Sequence, residues 1–397
     1  VRTARLAGLW FGNQAVWTAV LGVILQDRVT ALVPSTATIA TYAALATTGA
    51  CIAAIVQLAA GFGSDRLRAR TGDRRAFYAA GVAFAVPAVV VLPVASSLGV
   101  LWGAALLLQL GMNVASGPYQ AVVGDYIEPA HVGRASAWMS VAQFSGSLAG
   151  LLLVTLLHGP LVGIALALCL IGGWGLTDWQ VRRMQPIVRE TTPLRLDRNA
   201  WIVITGRAAV NVGFYTLFGF LFFFVHESLG VSQRDAHTAT GILFVAVTVA
   251  GLLGAVLAGR TSDRFDKRAV VSIACVAIVF ALGAFAFAKA LPLAVVCAAG
   301  AGVAWGAYFT ADWALAYAVL PRGALARAMG VWNLASVLPQ IAAPAITAPL
   351  VARLDARHAG LGPRGAIACV IVEFVLGTVW LWQLRLRPSR DEDSAPG

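Results

Sequence analysis

The sequence predicts an all-α integral membrane protein with twelve transmembrane helices in two six-helix bundles. Three observations predict it. The 397 residues have a mean hydropathy of +0.79 and only 12% are charged, too little polar surface for a water-soluble domain of that size. Apolar runs of the ~20 residues that span ~30 Å of hydrocarbon as a helix recur about twelve times. A short charged signature appears twice, half a chain apart, and divides the runs six and six.

In chain order the runs fall near 6–26, 36–62, 76–95, 98–125, 135–157, 160–179, 200–225, 237–259, 269–289, 291–320, 326–350 and 364–386. The first follows Arg2 and Arg5 as a secretory signal would, but its apolar stretch is too long and no small-residue cleavage site follows, so it is helix 1. The second leads into GFGSDRLRARTGDRR, residues 61–75, with seven charges between Ser64 and Arg75. Run 6 is followed by the longest polar stretch before the C-terminus, QVRRMQPIVRETTPLRLDRN, residues 180–199. It reads as a cytoplasmic linker between an N-terminal bundle, 1–179, and a C-terminal bundle with a short tail, 200–397.

Charge orients the runs. With the N-terminus in the cytoplasm, alternate connections hold 22 of the 29 Lys and Arg: Arg2 and Arg5, five in 64–75, Arg134, five in 180–199, four in 260–268, Arg322 and Arg327, and three at the C-terminus. This is the positive-inside pattern of a polytopic protein with both termini cytoplasmic, here expected in the cell (inner) membrane. The net charge of +11 is then a matter of topology, the bilayer is the partner, and nucleic acid is not. A monomer is expected. The five cysteines lie inside runs without a pairing pattern and the five histidines lie singly, so no disulfide, metal or cofactor is expected.

The repeat is Gly61-Phe-Gly-Ser-Asp65-Arg66 after run 2 and Gly259-Arg-Thr-Ser-Asp263-Arg264 after run 8, with a looser pair, Asp125 then Arg134 and Asp312 then Arg327, after runs 4 and 10. Twelve runs in two parallel halves with this signature resemble the major facilitator superfamily. The resemblance implies two bundles rocking about a central cavity lined by helices 1, 4, 7 and 10. It also implies a cytoplasmic gate in which Asp65 faces helix 11 and Arg66, or a later arginine such as Arg70 or Arg74, pairs with Asp125. Arg134, Asp263, Arg264 and Arg327 complete that gate, which latches the outward-facing state. The long spacing from Asp65 to Arg75, Val56-Gln57 before Gly61, and Asn113-Val-Ala-Ser-Gly117-Pro118-Tyr-Gln-Ala121-Val-Val-Gly-Asp125 are similar to the sucrose transporters and melibiose-type glycoside symporters, which implies a sugar or glycoside. Gln57, Gln109 and Gln120 stand where those families place charged residues.

Ionisable groups in hydrocarbon are costly and mark function. Arg207 in run 7, Asp312 in run 10 and Glu373 in run 12 stand out. Arg207 and Asp312 lie roughly 10 Å and roughly 13 Å from the same membrane face at 1.5 Å per residue, a depth that allows a pair. That pair is either a lock between helices 7 and 10 or a switch opened by a proton or solute, with Asp312 the coupling candidate. Glu373, on a peripheral helix, reads as a protonated or helix-paired carboxyl.

Around these charges, polar residues recur at helical spacing. They are Asn13, Gln14 and Trp17 in run 1; Gln109, Asn113, Ser116 and Gln120, with Tyr119 beside them, in run 4; Arg207, Asn211 and Tyr215 in run 7; Trp305, Tyr308 and Asp312 in run 10; and Asn333, Ser336 and Gln340 in run 11. Amides flanked by rings suit a hydroxyl-rich small-molecule substrate; the same residue types also bond helices to one another. No G-x-x-x-x-G-K-[ST] or H-E-x-x-H occurs and paired intramembrane acids are absent, which argues against a nucleotide-driven pump and an enzyme. The reading is secondary transport of a small polar organic solute by alternating access, with sugar symport and proton coupling foremost. Proton-driven efflux of a drug-like or natural-product molecule is the alternative, and a receptor or scaffold would bind without flux.

Overall fold

The computed structural model describes residues 2–187, 191–358 and 361–385. Residues 188–190 of the expected linker and the tail arginines Arg387 and Arg390 lie outside the described residues. Among the described residues twelve helices are long and apolar enough to cross a bilayer: α1 (Thr3–Leu32), α2 (Ser35–Thr71), α3 (Arg75–Val94), α4 (Leu98–Tyr126), α5 (Pro129–Leu156), α6 (Pro160–Val181), α7 (Arg198–Ser228), α8 (Gln233–Arg264), α9 (Lys267–Ala286), α10 (Leu291–Val319), α11 (Arg322–Asp355) and α12 (Leu361–Leu381). Among the described residues there is no strand. The chain is a multi-pass membrane protein.

Several starts are capped by side chains that satisfy orphan backbone donors. Ser97 accepts from Val100 before α4, Asp197 from Ala200 before α7, Ser232 from Asp235 before α8 and Asp266 from Arg268 before α9. α2 and α8 overrun the expected apolar stretches and reach Thr71 and Arg264. Hydropathy marks where hydrocarbon ends, whereas backbone bonding continues through charged residues that reach water. α2 stops where Gly72 takes φ 74° and donates its N–H to the Arg68 carbonyl at 2.7 Å, a left-handed cap that favours glycine. The stretch read as a loop, 64–71, is therefore about two turns of helix.

The first six helices pack together, α1 on α5 and α6, α4 on α2 and α3, and α3 on α6. The second six repeat the arrangement, α7 on α11 and α12, α10 on α8 and α9, and α12 on α9. The two bundles meet where α2 lies on α11 and α5 on α8 and α10. α8 and α10 approach closely, since a Cβ on Gly254 would strike the Val303 carbonyl and one on Gly306 the Gly251 carbonyl. Leu168, Phe280, Phe287, Val296 and Leu376 stay more than half exposed on outer faces, where lipid is the natural solvent.

Hydrogen bonds between the bundles gather at one end, where the arginine-rich connections after α2, α4, α6, α8 and α10 meet. This basic end is closed. Away from it, the first residues of α2 and the last turns of α11, Gln340 among them, are largely exposed.

Candidate functional site

The deepest polar cluster joins α7, α10 and α11. Arg207, only 7% exposed, pairs through Nη1 with the Asp312 carboxylate, itself 4% exposed. Its other terminal nitrogen, Nη2, donates to Ser336 Oγ at 3.1 Å, and the guanidinium lies 3.6 Å from the ring centroid of Trp332, within cation–π range. Asn211, one turn on, donates to the carbonyls of Arg207 at 3.1 Å and Ala335 at 3.0 Å, tying α7 to α11. Tyr308, one turn from Asp312, stacks on Trp305 at 5.1 Å, and Trp305 stacks on Phe214 at 4.7 Å. Tyr215 is half-buried beside Phe214. Support for the pair is unequal. Without Asp312, Arg207 keeps Ser336 and Trp332, whereas among the described residues the hydrogen bond to Asp312 comes from Arg207.

On the N-terminal side the amides bond to one another. Asn113 donates to the Gln109 carbonyl at 2.7 Å and its side chain at 3.1 Å, and accepts from Gln57 at 2.6 Å. Asn13 donates to Ser116 at 2.9 Å, joining α1 to α4. Gln120 accepts from Asn333 across the bundles at 2.6 Å, and its carbonyl accepts from Tyr317 at 2.7 Å. Trp17 and the half-buried Gln109 line a small cleft of about 20 Å³ between α1, α2 and α4. Gln14 packs beside Gly146 of α5. Tyr119 does not join the solute-facing set expected for it: it is 1% exposed and donates to the Leu6 carbonyl at 2.7 Å, inside the N-terminal bundle.

At the basic end, Asp65 and Asp125 hold three arginines. Arg74 donates to Asp65 Oδ1 at 2.7 Å and to Asp125 Oδ2 at 2.6 Å. Arg68 donates to Asp125 Oδ1 at 3.0 Å. Burial alone would favour a neutral Arg74, yet the two carboxylates around it push its pKa above the usual arginine value. Asp65 Oδ2 takes the Arg327 side chain at 2.8 Å and its backbone N–H at 3.3 Å, so it caps the start of α11 in the other bundle. Asp263 does the same for α5, accepting from the Arg134 backbone at 3.2 Å with the Arg134 side chain at 3.8 Å. The linker threads this cluster: Ile187 donates to the Asp125 carbonyl and Thr192 to the Gly323 carbonyl.

Arg66, Arg70 and Arg264, expected in the gate, are exposed; Arg68 stands in their place. The reason is helical register. With 64–71 in α2, Asp65 and Arg68 share a face at i, i+3, while Arg66 and Arg70 share another at i, i+4. The looser repeat also shifts: Asp125 lies one residue before the end of α4, but Asp312 lies seven before the end of α10, so the two are not equivalent. Nothing in the sequence marks Trp332, because a tryptophan in an apolar run carries no sign of the cation it faces. Among the described residues no group of three or more His, Cys, Asp or Glu could hold a metal ion.

Twelve spans in two packed bundles, pinned at one end by paired aspartates and arginines and holding an ion pair at depth, define a membrane transporter of the two-bundle class. Residues 7–344 match the Major Facilitator Superfamily, and the chain belongs to that family. Among solved structures it is similar to the human organic anion transporter MFSD10, with TM-score 0.73 and 14% identity over 96% of this chain and 98% of that one. It is similar also to a bacterial homologue of the iron transporter ferroportin in an outward-facing state with soaked iron, with TM-score 0.69 and 14% identity over 96% and 98%. A third is the proton:xylose symporter XylE, with TM-score 0.66 and 13% identity over 96% and 94%. At these identities the likeness is one of fold. No curated protein matches the chain.

Proposed function

We propose that this transporter moves a small organic solute across the cell (inner) membrane by alternating access, with its basic end in the cytoplasm, and that the Arg207–Asp312 pair couples solute movement to protons. The observation that carries this reading is the buried pair itself, which links α7 to α10 while Ser336 and Trp332 of α11 hold only its cationic half. An unpaired buried charge is costly, and the half that would be left charged when the pair opens is the half that Ser336 and Trp332 hold. Asn13, Asn113, Asn211 and Tyr308, on the four helices expected to line the path, are the proposed solute contacts.

The sugar or glycoside reading draws on the amides. Among the described residues Asn13 Oδ1 and Gln57 Oε1 are buried without a hydrogen-bond partner and suit hydroxyl donors. A specific observation favours the alternative, a drug-like solute. A cavity of about 60 Å³ inside the C-terminal bundle is walled by Phe214, Phe218, Phe244, Trp305, Phe374 and neighbouring aliphatic residues, with almost no polar surface. The discriminating experiment is counterflow in proteoliposomes with labelled sugars and drug-like molecules at two pH values. Exchange of any member establishes transport and its class; saturable binding without exchange would make the chain a receptor on a transporter fold.

A further inference from the structure

We infer that the solute is a lipophilic monoanion whose charged group binds Arg207 while one proton binds Asp312. This rests on the transport reading above and names its substrate class. Charge balance selects the anion. An arginine keeps its charge inside a protein, so Asp312 is the half of the pair that can be neutralised. A proton on Asp312 removes the acceptor from Arg207 and leaves one buried positive charge, which a low-dielectric site tolerates poorly. A monoanion restores neutrality; a cation adds to the excess. In the loading step Asp312 takes one proton from bulk water, and the ligand's anionic oxygen accepts the N–H that Asp312 releases. The net charge of the site is unchanged.

Geometry supports the same assignment. The guanidinium stays oriented by Ser336 at 3.1 Å and the Trp332 face at 3.6 Å when Asp312 lets go. Among the described residues its Nε is buried without a hydrogen-bond partner, a donor available to a second oxygen. From the pair, Tyr308, Trp305 and Phe214 form a continuous aromatic stack that ends at the 60 Å³ apolar cavity. Seven residues of α7 separate Arg207 from Phe214, roughly 10 Å of helix. An anionic head and a short apolar tail span that separation, the tail stacking on or displacing these rings, since about 60 Å³ is below the roughly 150 Å³ that holds a benzene ring; a sugar finds almost no polar partner in that lining. The other titratable groups nearby are Tyr308 on α10, Tyr215 on α7, Cys275 on α9, within electrostatic range of Tyr308, and Glu373 on α12, beside Gly213 of α7. α11 presents the neutral Trp332, Asn333 and Ser336, and the N-terminal bundle presents Gln120, bonded to Asn333, and Trp10, packed on Trp313.

The test uses the full chain in lipid nanodiscs with 4-phenylbutyrate as the probe, its amide and its amine as neutral and cationic controls, and a pH-indicator dye to count protons. The expected result is carboxylate binding that tightens about tenfold for each unit fall in pH wherever one proton is taken up per anion. The amide and amine bind at least about tenfold more weakly. Asp312→Asn binds the carboxylate with no pH dependence and no proton uptake; Arg207→Gln does not bind it. Should either single variant fail to fold for want of a partner charge, the neutral double variant Arg207→Gln/Asp312→Asn is expected to bind amide and carboxylate alike. Equal binding of amide and carboxylate by the wild type, anion binding without a proton, or no binding of any phenylbutyl probe overturns the inference. Counterflow on the same preparation separates the two levels: a sugar that exchanges while phenylbutyrate does not bind sinks the anion assignment and leaves transport standing. Phenylbutyrate that binds with its proton while nothing exchanges sinks transport and leaves the site.

Discussion

Trp332 shows what a single side chain contributes when its neighbour is charged. Its ring lies under Arg207 and is among the largest fully buried side chains. Trp332→Ala should lose a cation–π contact of about 0.5–2 kcal/mol on top of the ~3–5 kcal/mol typical of emptying a large aromatic site, while Trp332→Phe should retain most of both. Thermal unfolding of the purified variants checks the order. The basic end provides a second comparison. Arg74→Ala removes the arginine that Asp65 and Asp125 share, leaving Arg327 on the first and Arg68 on the second, and taking one partner from a buried ionic network costs about 3–5 kcal/mol. Arg66→Ala, at an exposed position of the same helix, should fall within about 0.5 kcal/mol of wild type. Equal destabilisation by the two would contradict the pairing described here. Composition and the signature pointed to this stretch, yet choosing Arg68 over Arg66 required knowing that it is helical.

At the scale of elements, the close meeting of α2 and α11 governs closure. A Cβ on Gly61 would lie 2.6 Å from the Ala326 carbonyl, and one on Gly330 would lie 3.1 Å from that of Gln57, so backbone rests on backbone with no side chain to yield. Gly61→Leu is expected to wedge the bundles apart at the basic end. Spin labels at the exposed positions 70 and 264, one on each bundle, should then show a longer distance population than in wild type; an unchanged distribution would mean that closure does not depend on this contact. The two interbundle caps, Asp65 on α11 and Asp263 on α5, repeat one device on both sides. Each places a carboxylate at a helix N-terminus, where the dipole favours it. The signature announced both aspartates, and the helix starts they cap lie 262 and 129 residues away from them in the chain.

At the scale of the whole molecule, the distribution of Lys and Arg sets the orientation. If the basic end is cytoplasmic, a cysteine placed at exposed position 70 should react with a membrane-impermeant maleimide only after cells are permeabilised, and one at exposed position 234, in the first turn of α8 at the opposite end, should react in intact cells. The reverse pattern would invert the topology and every statement of direction that depends on it.

What the sequence by itself determined is the element list and its family: twelve spans, two halves, the repeated aspartates and the three charges held in hydrocarbon. Those features arise between one helix and its solvent, since hydropathy, charge bias and helical period act on local segments, and local segments are legible. Only the tertiary structure decided the partners. Arg207 meets Asp312 across 105 residues and Ser336 across 129, and Asp65 meets Arg327 across 262. It also turned Tyr119 into the N-terminal bundle and set Trp332 beneath the guanidinium. Such choices depend on the register and rotation of helices packed side by side. Many rotations would hide a given apolar surface from water, and the packing of the neighbouring helices selects the one that pairs these groups.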